Sequence, residues 1–261
     1  MTISDDNASL HPSRLIADAA AVLVDLDGCL LAGRDAAPGA AELLALAGAR
    51  LVVVSNNSTD TANSMAGLLA ELGLPVPAER ILLAGEMAVG LLRERHPGAR
   101  VLALMGGPLA ATLGDIRQVE TDPEVVLLGR DLYLSYTRLR AAARALHEGA
   151  ALIAANPDLS HPDESGCPVP ETGSLLAALS AMVPEAAATI VGKPGPVLYQ
   201  EALARLGAAP ENALMIGDNP DTDLAGARQL GIPGLLVGPR AARGGNLAAL
   251  LASRAPVGES S

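Results

Sequence analysis

Phenylalanine and tryptophan are absent from this chain, and tyrosine occurs only three times. Any core must therefore be built from Leu, Val, Ile and Ala. Positive charge is scarce: Lys plus Arg is 18 against 29 Asp plus Glu, a net charge of −11. That balance excludes the basic footprint of a nucleic-acid binder or of a protein held on anionic lipid. Two cysteines make no disulfide framework, so a reducing, cytoplasmic setting is expected. No run approaches the ~18 apolar residues of a transmembrane helix. The opening MTISDDNASL carries Asp5 and Asp6 and no basic stretch before an apolar run, so no secretory leader is expected. Lysine is nearly missing as well: Lys193 stands alone beside 17 arginines. Codon bias accounts for most of that imbalance. A site that needs a compact ammonium, which a planar guanidinium cannot imitate, would explain the exception.

What is present suffices for one large domain or two modest ones: 261 residues, half of them hydrophobic. Short apolar runs at 21–26, 51–55, 213–217 and 234–238 end in polar or glycine-bearing turns. They are too short for helices and too continuous for half-exposed strands, so they read as buried parallel strands. Helical stretches lie between them, at 39–47, 61–72, 196–206 and 222–230. The middle reads as a second α/β unit, with strands at 101–105, 116–120, 125–128 and 152–155 and helices at 85–95, 135–147 and 173–182. The expected fold is α/β: a Rossmann-like parallel-sheet core over 1–82 and 189–261, interrupted by an inserted α/β domain over 83–188. Residues 1–12 and 252–261 read as frayed ends.

Four motifs carry chemistry. Asp25-Leu26-Asp27-Gly28 follows the first strand, where residues two apart share a face and ligands of open α/β sheets bind. By itself it also reads as an acidic turn. Ser55-Asn56-Asn57-Ser58 ends the second strand and offers hydroxyl, amide and backbone N–H groups to a phosphate, or a cap to the next helix. Gly192-Lys193-Pro194 holds the sole lysine. Gly217-Asp218-Asn219-Pro220-Asp221-Thr222-Asp223 follows another strand, with Asp218 at its end and Thr222 or Asp223 able to cap a helix. Hard oxygen donors beside a single ammonium suit Mg²⁺ and a phosphate ester.

The motifs DLDGCL, SNNS, GKP and GDNPDTD, in that order, resemble the haloacid dehalogenase superfamily of phosphatases. The insert resembles the cap of its class II, subtype A branch, which includes p-nitrophenyl, pyridoxal phosphate, glycerol phosphate and nucleotide phosphatases. Leu128-Gly129-Arg130-Asp131, Ser135-Tyr136, the AANPD of 154–158 and Thr172-Gly173-Ser174-Leu175 carry that likeness. The resemblance implies a Mg²⁺-dependent phosphomonoester hydrolase. Asp25 would be the nucleophile and Asp27 the general acid and base. Ser55, with the backbone of Asn56 and Asn57, would hold phosphate oxygens, and Lys193 would neutralise charge. Asp218, the Asp25 carboxylate and the Asp27 carbonyl would hold the metal. Asp223 would stand behind them and orient Lys193 or a metal-bound water. The cap would close over the site and supply the leaving-group pocket. Its loop Asp158-Leu159-Ser160-His161-Pro162-Asp163 resembles the branch's specificity loop, which makes His161 and Asp158 substrate-contact candidates.

That loop has no aromatic platform, so a small polyol or sugar phosphate is expected over a flat aromatic one. Glu171 stands where the branch's Pro-Gly-x-Gly motif has glycine, which departs from the pattern of the loop. Cys29 reads as a small buried hydrophobe. His11, His96 and His147 read as surface residues. Tyr133 and Tyr136, three apart, read as packing of the cap core. The apolar runs of the insert would also allow caps to pair into a homodimer. Phosphotransfer or phosphomutase activity on the same fold stays open, as does a non-catalytic, receiver-like phosphate-binding role. A receiver is about half this length, and Asp27 with the large insert argues against one. A dinucleotide-binding oxidoreductase fails, because Asp25 and Asp27 stand where a pyrophosphate needs glycine.

Overall fold

The computed structural model describes residues 12–163, 165–238, 241 and 245–252. The expected frayed ends therefore fall almost wholly outside the described residues, as does His11. The chain divides into two compact units, one of residues 1–55, 66–81 and 199–261 and one of 56–65 and 82–198.

The first unit contains α1 (Pro12–Asp18), β1 (Ala21–Val24), a small hairpin of β2 (Leu31–Ala32) and β3 (Asp35–Ala36), α2 (Ala40–Ala47) and β4 (Leu51–Ser55). The chain then passes through α3 (Ala62–Glu71) and β5 (Ile81–Leu83), both of which straddle the division. The second unit continues with α4 (Ala84–Arg95), β6 (Val101–Leu104), β7 (Val125–Leu128), α5 (Tyr136–His147) and β8 (Ala151–Ala154). A hairpin of β9 (Ser160–Pro162) and β10 (Pro168–Pro170) follows, then α6 (Thr172–Met182) and β11 (Ala188–Ile190). The chain returns through α7 (Val197–Leu206) to β12 (Ala213–Gly217), α8 (Ala225–Gln229), β13 (Gly234–Leu236) and α9 (Leu247–Ala252).

The larger sheet has the order β13-β12-β1-β4-β5. β1 pairs in parallel with β12 on one side and β4 on the other. Every residue of β1, β4 and β12 is buried, which is why these runs are apolar without alternation. From central β1 the chain builds outward to β4 and β5 and later returns to add β12 and β13. The order in which strands are added thus reverses beside β1, the place where open α/β sheets bind ligands.

The second unit has its own parallel sheet, in the order β11-β8-β7-β6. Successive side chains feed two different cores. Val101, Ala103, Val125, Leu127 and Ile153 join α4 residues such as Val89 and Leu92 on one face. Leu102, Leu104, Val126, Leu128 and Leu152 join Leu146 and Leu179 of α5 and α6 on the other. Period-two projection from a sheet covered on both faces produces this division.

Several expectations are corrected here. Residues 116–120 form no strand, only a single bridge between Gln118 and Val101. The expected helix over 222–230 is instead a π-helical turn, Pro220–Leu224, followed by α8. Tyr133 and Tyr136 do not pack in a core: they are 88% and 80% exposed. Tyr133 precedes the helix, whose N-cap is Ser135, so the two tyrosines never share a helical face. α5 buries Ala142, Ala145 and Leu146 instead. Cys29 is fully buried, as expected.

Candidate functional site

β1 delivers Asp25 to the carboxyl edge of the larger sheet. The Asp25 N–H donates to the Ile216 carbonyl at 2.9 Å, so the ladder runs one residue past the strand and seats Asp25 beside the end of β12. Asp218 follows β12 directly, and Ser55 closes β4. Three adjacent parallel strands therefore bring Asp25, Ser55 and Asp218 to one edge. Asp25 and Ser55 are both buried.

The π-helical turn adds Asp223. Asn219 caps this turn, accepting from the Asp221 N–H at 3.1 Å, so neither Thr222 nor Asp223 serves as the cap. The Asp223 Oδ2 accepts from the Asn219 N–H at 3.0 Å. Behind the turn, the fully buried Tyr199 hydroxyl reaches the carbonyls of Thr222 at 3.0 Å and Asp223 at 2.9 Å. One oxygen each from Asp25, Asp218 and Asp223 lies within 4.8 Å of the others. Three carboxylates at this spacing repel one another, and a cation held among them would offset that repulsion. Their hard oxygens fit a divalent ion such as Mg²⁺.

Two glycines permit this crowding. A Cβ on Gly217 would fall on the Asp223 carboxylate, and one on Gly28 would fall on the Asp218 carboxylate. Gly28 also sits at φ 79°, in the left-handed region. Asp27, between Asp25 and Gly28, is exposed, and a single bridge with Leu31 holds its backbone at the foot of the β2–β3 hairpin.

The remaining candidates belong to the second unit. Asn56 and Asn57 follow β4, but they do not cap α3. Thr61 and Ser64 do so reciprocally, with the Ser64 N–H donating to Thr61 Oγ1 and the Thr61 N–H to Ser64 Oγ. The helix-cap reading of SNNS is thereby excluded. The Asn57 side chain folds back locally, accepting from the Thr59 and Asp60 N–H groups and donating to Asp60 Oδ2. Lys193 is buried, only 2% exposed, and precedes a cis peptide bond to Pro194. Asp158 hydrogen-bonds to Asn56. His161 lies in β9, half-buried, with Nδ1 2.7 Å from Glu171 Oε1. Arg130 approaches the same Glu171 oxygen at 3.6 Å, so the residue that replaces glycine in the loop is held between two nitrogen-bearing side chains.

Sequence reasoning passed over Tyr199 and Asn156. Tyr199 is the one tyrosine outside the insert, and its burial inside an amphipathic helix left no separate signal. Asn156 was visible only as part of AANPD.

With the geometry in place, the comparisons agree. A haloacid dehalogenase-like hydrolase model matches residues 22–116, and a HAD-hydrolase-like model matches residues 190–255. The chain belongs to the haloacid dehalogenase-like hydrolases. A D-glycerol 3-phosphate phosphatase from Mycobacterium tuberculosis is 37% identical over 225 residues, 83% of this chain and 62% of that protein. This chain thus spans about three fifths of that relative's length. A dihydroxyacetone phosphatase from Corynebacterium glutamicum is 31% identical, covering 82% of this chain and 79% of that protein. The crystal structure of a glycerol phosphate phosphatase from M. tuberculosis in complex with magnesium superposes with a TM-score of 0.75 at 34% identity, over 85% of this chain and 69% of that one. The hydrolase family and the parallel-sheet α/β fold are those implied by the order of the four motifs. Among the described residues, no helix is long and apolar enough to cross a membrane.

Proposed function

We propose that this member of the haloacid dehalogenase-like hydrolases is a Mg²⁺-dependent phosphomonoester hydrolase acting through an aspartyl phosphate. One observation carries the reading: the Asp25, Asp218 and Asp223 oxygens within 4.8 Å of one another, beside Ser55 at the carboxyl edge of the sheet. Asp25 and Asp218, with the Asp27 carbonyl, would hold the ion, and Asp223 would act from behind or as a further ligand. When bound, the ion offsets the charge of phosphate and nucleophile so that the two anions can approach.

The protein's own groups then have separate tasks. An Asp25 oxygen forms a bond to phosphorus as the ester P–O bond breaks, and Asp27 gives its proton to the departing alcohol oxygen. In the second step Asp27 takes a proton from water. The water oxygen bonds to phosphorus, and the Asp25–phosphorus bond breaks to release inorganic phosphate. Ser55 and the Asn56 and Asn57 backbone would bind phosphate oxygens, and the Lys193 ammonium would neutralise their charge. On this reading residues 83–188 form the cap, inserted into a core of 1–82 and 189–261, and His161 contacts the alcohol. The substrate is a small phosphorylated polyol or sugar. The names of the relatives and the lack of an aromatic platform in 158–163 support that class. The exposed Leu132, Tyr133 and Tyr136 support pairing of two copies through the second unit, which sedimentation velocity would test. The scarcity of cysteine supports a cytoplasmic setting.

The test is phosphate release from glycerol phosphates, sugar phosphates, pyridoxal phosphate, nucleotides and p-nitrophenyl phosphate, with Mg²⁺ and with EDTA. Release should need the metal, and Asp25→Asn should lower it by at least about 10³-fold, as loss of a nucleophile does. Release that requires an added alcohol acceptor would replace hydrolysis by phosphotransfer. Higher kcat/KM on pyridoxal phosphate than on glycerol phosphate would reverse the substrate preference.

A further inference from the structure

The sequence placed Asp158 against the substrate, but its hydrogen bonds lead to the lysine. Asn56 Nδ2 donates to Asp158 Oδ2 at 3.0 Å and to the Lys193 carbonyl at 3.0 Å. The Lys193 N–H donates back to Asn56 Oδ1 at 2.7 Å. A side-chain amide that both accepts from and donates to one residue's main chain acts as an added peptide unit and fixes that residue's backbone. A second set of bonds closes the circuit. Asn156 Nδ2 donates to the Asn56 carbonyl at 2.6 Å, and the Asp158 N–H donates to Asn156 Oδ1 at 3.0 Å.

Packing leaves the arrangement little freedom. A Cβ on Gly192 would fall on Asn56 Oδ1 and press on the Ala155 carbonyl and the Asn156 side chain. The Gly192 N–H donates to the Ala155 carbonyl at 2.7 Å, and the Gly173 N–H to the Asp158 carbonyl at 2.8 Å. Asn156 and Lys193 are almost fully buried, so their polar groups have no water to fall back on.

The carboxylate joins the Lys193 main chain in setting the orientation of the amide. A carboxamide turned end for end has nearly the same shape. In this site the turned form would set Asn56 oxygen against the Lys193 carbonyl and the Asp158 carboxylate, and its NH₂ against the Lys193 N–H. Asp158, a charged acceptor, strongly favours the observed orientation. We propose that Asp158 and Asn56 are positioning residues for Lys193, Asp158 orienting the Asn56 amide and that amide fixing the Lys193 backbone. Its consequence for turnover rests on the phosphatase reading; the hydrogen-bond circuit does not.

The lone lysine makes the test direct. Protein grown on lysine carrying heavy nitrogen at its α-amine yields one amide resonance, from the N–H that donates to Asn56 Oδ1. Asp158→Ala should shift that resonance and speed its solvent exchange by about tenfold or more. Asp158→Asn, which retains an acceptor oxygen, should restore both. If Asp158→Ala does not fold, Asp158→Ser is read in the same way. In turnover, Asp158→Ala should lower kcat by about 10–100-fold, the scale of a lost orienting partner. The factor should be the same on p-nitrophenyl phosphate and glycerol 3-phosphate, with the ratio of their KM values unchanged. An unmoved lysine resonance in the Ala and Ser variants overturns the proposal. So does a KM effect confined to one alcohol, which would make Asp158 a substrate contact. A wild-type protein that releases no phosphate sinks the phosphatase reading while the resonance still decides the positioning role.

Discussion

Gly28 and Gly217 shape the candidate site as much as the aspartates do. Each leaves open the space that a neighbouring carboxylate fills, and Gly28 adds a backbone conformation that other residues rarely adopt. Gly28→Ala should therefore displace Asp218 even if the sheet survives. We expect kcat/KM to fall by about 10²-fold, the scale of an ångström-level misplacement in a catalytic site. Steady-state kinetics beside a circular dichroism spectrum would separate that loss from unfolding, and unchanged kinetics would refute the steric account. The sequence shows a glycine at each place and supplies a turn as its reason. The close approach of Asp218 to Gly28 becomes visible only when β1 and β12 lie side by side, and that of Asp223 to Gly217 only once the turn after β12 has formed.

At the scale of elements, the π-helical turn over Pro220–Leu224 places Asp223. It is held at its start by Asn219 and from behind by Tyr199. Helical periodicity over 222–230 could not reveal it, because a turn one residue wider than an α-helical turn leaves the apolar pattern nearly intact. Tyr199→Phe keeps the packing but removes the hydroxyl from two carbonyls in a dry interior. Stability should drop by about 1–3 kcal/mol in urea denaturation. Half-activation by Mg²⁺ should move to about tenfold higher concentration or more, since Asp223 loses its support. Full stability with unchanged metal dependence would show that the turn holds itself. In the second unit, Leu127 is fully buried in one of the two cores, and Leu127→Ala should cost about 2–5 kcal/mol. The missed elements share a cause. β9, β10 and β11 are three residues each and β2 and β3 only two, too short for any period to register. Residues 116–120 offer two β-branched residues, Ile116 and Val119, but meet β6 at one bridge only.

Across the whole molecule, the acidic surface sets the response to pH. Asp163 is held below its ordinary value of 3.8, chiefly by the Ser165 hydroxyl and then by the Cys167 N–H. The Arg93 side chain does the same for Asp115, and the Arg100 N–H for Glu124, whose ordinary value is 4.5. A depressed carboxyl contributes stability that is present above its unfolded value and lost as pH falls through its folded one. All three are fully solvent-facing, so each share is small, yet all have the same sign. The thermal midpoint should therefore be lower at about pH 3 than at about pH 5. Equal midpoints would show that these bonds add nothing to the fold.

The sequence by itself determined the layered α/β architecture, the presence of a second α/β unit and the four motifs that carry chemistry. Buried parallel strands are uninterrupted apolar runs, and ligand-binding turns follow their ends, so local pattern suffices for both. The tertiary structure alone decided which side chains meet. It gathered Asp223 with Asp25 and Asp218, turned Asp158 toward Asn56, and left Tyr133 and Tyr136 in solvent. Those outcomes depend on strand order, on where a helix actually starts and on hydrogen bonds between residues about a hundred positions apart. No spacing within a segment encodes them, because the contacts form only after separate segments have folded against one another.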